Sequence, residues 1–458
     1  VLLNLASACF EKTMENHPSG NLSSISQPNG MGVDPMIRSG REVLPGIMML
    51  TGYDLKPFQT SFLIPELADP YVTAMRDSII ISGTAPYHLR FQTLDDIRKG
   101  GPYQIVWNNF YYSDGTQLEG ASWDMKPFIW SHQDSKATHS HQVIWYGGHM
   151  RPRRPSKVSL WPDDNYSRDV FAFLENSPGE WLSLENSIFS RRSDWPRAAG
   201  NFLGHRYGHQ IVMAPQAGEG SSIRYVLAVF YEEVTAIHAD GSPAVTKIFM
   251  DEMVTPTQAR GQPVELISPM NPVNGKFYPS SIRENGSALV EGPLYFRFTF
   301  EGELWEAIGF SAGSFYSNYP SCFASRKVSD GIQGKPYQLD LNEDGSDLND
   351  AGIELGKALN LIGGPGRPAV IVGPDGTAIL DPQNQLQVLV HGYRQDILPD
   401  NDYGKFPTKY RLDQMFRSIV YAPLQVSRKK SNGGVQFKIP VPEGVKPTWP
   451  NWDQNSTM

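Results

Sequence analysis

Five times along this chain an apolar segment of strand composition, a turn and a second such segment follow one another. The units begin at Gly32-Val33-Asp34-Pro35-Met36-Ile37-Arg38, Ala121-Ser122-Trp123-Asp124-Met125, Tyr207-Gly208-His209-Gln210-Ile211, Val290-Glu291-Gly292-Pro293-Leu294 and Gly364-Pro365-Gly366-Arg367-Pro368. Each is bounded by Gly or Pro and enriched in β-branched and aromatic residues, which favour a pleated backbone. The units differ widely in sequence, so the repeat is one of architecture. Strand pairs recurring evenly over roughly 400 residues suit blades around a central channel better than two packed sheets. The expectation is an all-β, single-domain, five-bladed β-propeller over residues 26–425, with an N-terminal arm over 1–25 and a C-terminal tail over 426–458. Only residues 168–200 invite a little helix.

A length of 458 residues is compatible with one such unit, and 42 Gly with 36 Pro supply many tight turns. The formal net charge of -8 argues against nucleic acid as a partner, because a phosphate-binding surface needs clustered cations. The one basic run, Arg151-Pro152-Arg153-Arg154, is short and broken by proline, as in a solvated loop. No apolar run is long enough to span a bilayer. Residues Val1-Leu2-Leu3-Asn4-Leu5-Ala6-Ser7-Ala8-Cys9 read equally as the end of a secretory signal or as an ordinary segment; the former would make the protein secreted or periplasmic. Cys9 and Cys322 carry no disulfide framework.

Two motifs place a carboxylate where a strand begins. Asp34 precedes a proline, which disfavours helix at Asp34 and opens an extended segment. Glu291 stands beside Gly292 and Pro293, which hold the backbone so that its side chain can face a cavity while its neighbours pack. Cleaving a glycosidic bond needs such a pair: one carboxylic acid protonates the leaving oxygen, and one carboxylate activates water or attacks carbon. The run Asp340-Leu341-Asn342-Glu343-Asp344-Gly345 has the first half of a structural calcium loop, but Ala351 stands where the twelfth-position acid belongs, so a surface turn is the better reading. His139 and His141 have no evident third ligand.

In motif order, about residues 30–400 resemble glycoside hydrolase family 43 and its arabinanase, xylosidase, invertase and levansucrase-like relatives. The resemblance rests on Val33-Asp34-Pro35, loosely on Ser122-Trp123-Asp124-Met125-Lys126-Pro127, closely on Glu291-Gly292-Pro293 with Phe310-Ser311-Ala312-Gly313, and on Gly364-Pro365-Gly366-Arg367 with Val390-His391-Gly392-Tyr393-Arg394. It implies a glycosidase on an oligosaccharide or polysaccharide, inverting, with Glu291 as acid, Asp34 as base and no required cofactor. Arg38, Trp123, Asp124, Arg367 and His391 would then face the sugar. Two departures mark a divergent member: His209 stands near the place of the family's third carboxylate, and Arg367 replaces a channel histidine. Ser26-Gln27-Pro28-Asn29-Gly30 resembles the invertase start but has Gln27 in place of its nucleophile. Trp123, Trp130 and Trp145 suit sugar stacking or, taken singly, a core. A glycosyl or fructosyl transferase and a non-catalytic carbohydrate-binding propeller remain the alternatives.

Overall fold

In the computed structural model, residues 36–38, 40–50, 67–75, 78–84, 87–107, 109–111, 122–133, 139–152, 166–177, 180–189, 203–218, 222–314, 319–394, 417–429 and 434–447 are described. For some strand residues, among them Arg38, Trp123, Asp124, Trp130 and Trp145, the description covers the backbone alone. Asp34, Cys9 and residues 26–30 lie outside the described residues.

Short strands β1 (Met36–Arg38), β2 (Arg41–Leu44) and β3 (Ile47–Met49) come first. Sheet one then holds β4 (Ala68–Ala74), β5 (Ile79–Thr84), β6 (Tyr87–Phe91) and β7 (Tyr103–Trp107), with a helix α1 (Leu94–Arg98) between the last two. Sheet two is β8 (Asn109–Tyr111), β9 (Ser122–Gln133), β10 (His139–Pro152), β11 (Tyr166–Ser177) and β12 (Glu180–Ser187). Sheet three is β13 (Arg206–Ala217), β14 (Ile223–Ile237), β15 (Pro243–Thr255), β16 (Gln258–Ala259) and β17 (Val264–Ile267). Sheet four is β18 (Val290–Phe300), β19 (Glu303–Ala312), β20 (Ser321–Lys327) and β21 (Gln338–Leu339), followed by helices α2 (Val328–Ile332) after β20 and α3 (Ile353–Ala358) after β21. Sheet five joins β22 (Leu361–Val370), β23 (Leu386–Arg394) and β24 (Arg417–Arg428) to the early β2 and β3, and β25 (Val435–Lys438) pairs with β24.

The five sheets close into a ring. Strand β4 packs against β9, β9 against β13, β13 against β18, β18 against β22, and β22 back against β4, so these are the inner strands. Pairing of Met49 with Val420 and of Met48 with Tyr421 lets the early strands complete the last blade. The protein is a five-bladed β-propeller, as the recurrence of strand pairs predicts, and its fifth sheet continues past residue 425.

Apolar packing fills four of the five boundaries between neighbouring blades, which is why many strands are apolar almost throughout. One core, with Phe296, Trp305, Val388 and Phe437, lies between sheets four and five. A second, with Tyr71, Ile81, Leu389 and Ile419, lies between sheets five and one; others join sheets three to four and two to three. A side chain of Phe size buried this way stabilises by about 1.5–3 kcal/mol. A charged residue in such a strand therefore needs a reason to be there. Over residues 166–177 and 180–187 the helix expectation is corrected: both are strands, paired from Phe171–Ser187 to Ser177–Glu180, while residues 190–200 lie outside the described residues. No helix among the described residues is long and apolar enough to cross a membrane.

Candidate active site

Three carboxylates come together at the inner side of the ring, two of them on inner strands. The first is Asp69, at the second position of β4 in the run Ala68-Asp69-Pro70. A bulge between Ala68 and Tyr71 interrupts its pairing with β5, and Asp69 takes a φ of 52°, which few non-glycine residues adopt. The bulge turns the carboxylate towards sheet five. Its Oδ1 lies 3.4 Å from Nε of Arg367, 3.5 Å from Nη1 of Arg417 and 3.7 Å from Nε2 of His391. Its Oδ2 accepts from the Thr84 hydroxyl at 2.8 Å. Burial alone would raise the Asp69 pKa, but the two guanidinium groups, with His391 and the Thr84 hydrogen bond, hold it well below the carboxylate range. Asp69 is ionised.

The second carboxylate is Glu291, on β18 opposite Ser311 of β19. It is 8% exposed and receives Nη2 of Arg283 at 2.8 Å, while Arg283 Nε donates to the Gly313 carbonyl at 2.8 Å. The bulge after Glu291 contains Gly292, at φ 66°. A Cβ there would sit 2.0 Å from Arg367 Nη1, so only glycine lets this backbone approach the guanidinium.

The third is Glu232, fully buried on β14, one strand out from the channel. It reaches inwards across Gly208, where a Cβ would lie 2.1 Å from Glu232 Oε2, and it accepts the Gly292 backbone N–H. Arg367 Nη2 lies 4.0 Å away. The next residue, Glu233, points to the other face and pairs with Arg206 at 3.0 Å, as strand alternation requires.

Arg367 sits among these groups. Its backbone N–H donates to Ser311 Oγ at 2.6 Å and its Nε to the Tyr319 hydroxyl at 3.1 Å. Burial pushes the Tyr319 phenol well up; Arg367 opposes this, whereas Glu291, Asp69 and Glu232 add to it. One buried hydroxyl therefore feels all three carboxylates. His391 accepts the Asp69 backbone N–H on Nδ1 at 3.0 Å, which puts its single proton on Nε2. Burial, followed by Arg417, lowers its pKa to about 3 against the pull of Asp69, so the ring is neutral.

His209 lies on an inner strand and is fully buried. Burial, then Lys126 and Arg367, drive its pKa well below the ordinary value, while the Tyr146 carbonyl works the other way. The buried Lys126 donates to the His209 carbonyl and lies 5.7 Å above the Tyr71 ring. His209 is thus a neutral ring beside the cluster, and the carboxylate on this blade is supplied by Glu232.

Of the residues singled out from sequence, Glu291, His209, Arg367 and His391 stand on inner strands or the strand beside them. Arg38 lies in the three-residue β1, and Trp123 and Asp124 lie on the inner strand β9. Sequence reasoning missed Asp69, Glu232, Arg283, Tyr319 and Arg417. Asp69 had a visible signal, a second Asp-Pro ahead of the strongly apolar Ile79-Ile80-Ile81. Among the described residues, no group of three or more His, Cys, Asp or Glu is placed to hold a metal ion. Asp340 is engaged by Lys429 at 2.9 Å, Asn349 at 3.0 Å and the Phe437 N–H at 3.0 Å.

No protein-family profile matches the chain, and no curated protein sequence does. Among solved structures, the fold is similar to an α-L-arabinofuranosidase from Lactobacillus brevis, at 14% identity and TM-score 0.47, covering 84% of this chain and 98% of that one. It is also similar to an exo-1,5-α-L-arabinanase from a bovine ruminal metagenomic library, at 10% identity and TM-score 0.40, covering 83% and 99%. A glycoside hydrolase family 43 enzyme from Xanthomonas citri complexed with xylose is similar at 12% identity and TM-score 0.38, covering 87% and 97%.

Proposed function

We propose that this chain hydrolyses glycosidic bonds in an oligosaccharide or polysaccharide. The observation that supports the reading is the convergence of Asp69, Glu232 and Glu291 on Arg367 and Tyr319 at the inner strands. Buried charges are costly, and ion clusters of this kind are retained where they serve chemistry or specificity.

In this reading, Asp69 is the permanently ionised group that orients and activates water. Glu291 donates a proton to the leaving oxygen. Glu232 sits between them in charge terms, stabilising positive charge that develops on the sugar ring. Asp69 takes the role assigned from sequence to Asp34. His391 and His209, held neutral chiefly by burial, serve as hydrogen-bonding groups.

The test is a turnover screen with nitrophenyl glycosides and with the matching natural oligosaccharides, arabinofuranosides and xylosides first. Glu291→Gln should lose about 10²–10⁴-fold on natural glycosides yet largely spare the activated leaving group. Asp69→Asn should damage both substrate classes. Sugar binding without turnover, unaffected by either substitution, would replace this reading with a carbohydrate-binding propeller.

A further inference from the structure

Blade one holds a pocket at the end of the sheet away from the carboxylates. Asp69 and Thr84 mark one end of the β4–β5 pair, and Ala74 opposite Ile79 marks the other. Ala74 lies five positions beyond Asp69, about 16 Å at the rise of a strand. At that far end a cavity of about 350 Å³ is lined by Ser78, Arg90, Gln92, Asp96 and Gln104, with Pro102 and Tyr103 as its apolar part. That volume falls within the range of small-molecule pockets, roughly 300–1,000 Å³.

Strand alternation explains the polar part of the lining. Arg90 pairs with Ile80 on one side and Gln104 on the other, so Ser78, Arg90, Gln92 and Gln104 share one face of the sheet. The intervening Ile79, Leu89, Phe91 and Ile105 go into the core against sheet five. The buried Nε of Arg90 has no hydrogen-bond partner, although unpaired buried donors are rare. Asp96 uses Oδ2 to cap α1, accepting the Thr93 N–H and hydroxyl at 2.8 Å each. Its Oδ1 is left to face elsewhere.

We infer that this pocket binds a neutral sugar unit of a polysaccharide. A sugar hydroxyl both donates and accepts, so a site for it needs both kinds of group close together. Arg90 and the two amides supply donors; Asp96, Ser78 and the amide oxygens supply acceptors. Tyr103 donates its hydroxyl to the Leu50 carbonyl at 2.7 Å and packs its ring on Phe91 at 5.1 Å, so it closes the core side of the pocket. An anion would be repelled by Asp96, and an apolar ligand would leave Arg90 unpaired. The inference stands apart from the chemistry at the channel, since binding here requires no turnover.

Native affinity electrophoresis in gels containing soluble arabinan, arabinoxylan or galactan tests it, with wild-type protein, Arg90→Ala and Gln104→Ala. At least one polysaccharide should retard the wild type and Glu291→Gln alike. Arg90→Ala and Gln104→Ala should weaken that retardation about tenfold or more at unchanged Tm. Gln104→Ala, half-buried and outside the core, keeps the test valid if Arg90→Ala folds poorly. Retardation that is absent in the wild type, equal in all variants, lost in Glu291→Gln, or abolished by 0.1 M sulfate but not by added neutral oligosaccharide would overturn the inference.

Discussion

Replacing Asp69 with Asn tests the electrostatics of the cluster without changing its shape. The native carboxylate lies within 3.7 Å of Arg367, Arg417 and His391, and its side chain is only 15% exposed. Removing one partner from a buried ionic group costs about 3–5 kcal/mol, because Arg367 and Arg417 would lose the carboxylate they share. For a chain of 458 residues, the unfolding entropy of about 2.1 cal/mol/K per residue gives about 1 kcal/mol/K, so Tm should fall by about 3–5 °C. The pH dependence is the sharper measurement. Because the Asp69 pKa is depressed in the folded state, its contribution is complete above the unfolded carboxylate value of about 3.9 and is lost as pH falls towards the folded one. Calorimetry of both proteins should therefore show a constant Tm gap from pH 8 to about pH 5 that narrows below about pH 4. A gap absent at pH 7, or one that widens in acid, would refute the assignment of Asp69 as the anionic centre of the cluster.

Gly292→Ala should abolish turnover and lower Tm, since its Cβ would fall 2.0 Å from the Arg367 guanidinium at a φ of 66°; an active variant would show that Arg367 is not fixed there. Phe437→Ala should cost about 3–5 kcal/mol, because this ring stacks on Phe323 at 4.4 Å and ties β25 to sheet four; chemical denaturation measures it. His391 should remain neutral in ¹⁵N NMR spectra from pH 8 to about 4, with its proton on Nε2. Its lowered pKa also makes the unfolded chain bind the extra proton first, so stability should begin to fall below about pH 6.5 and go on falling towards pH 3.

The strand pairs around Glu291 and His391 were legible because Gly and Pro punctuate them and their residues favour extended backbone. Over residues 168–187 the expected helix gives way to strands for a tertiary reason. Segments such as Trp181-Leu182-Ser183-Leu184-Glu185 contain good helix formers, yet cross-strand pairing with β11 and β8 decides their state. The site was legible only in part. Glu291 and Arg367 carry local backbone signals, a Gly-Pro bend and a Gly-rich turn. Arg417 and Tyr319 carry none; they matter only because ring closure sets them beside Asp69 and Arg367. Glu232 had a weaker clue, a carboxylate following the apolar run 226–231 in a strand whose middle is buried on both faces.

Asp69 and Arg367 share one further property. Each is a non-glycine residue at positive φ, 52° and 51°, and each immediately precedes a proline. A left-handed conformation costs about 1–3 kcal/mol and persists only where surrounding structure over-determines it. Here the two strained residues sit on neighbouring inner strands, β4 and β22, and their side chains meet at 3.4 Å. His391 and Arg417, also from sheet five, complete the grip on Asp69. The cluster therefore spans the boundary between the first and last blades, the same boundary that the pairing of β3 with β24 supports from outside. At this boundary the packing of the first and last blades holds the strain at Asp69 and Arg367, and their ion pair helps to hold the two blades together in turn.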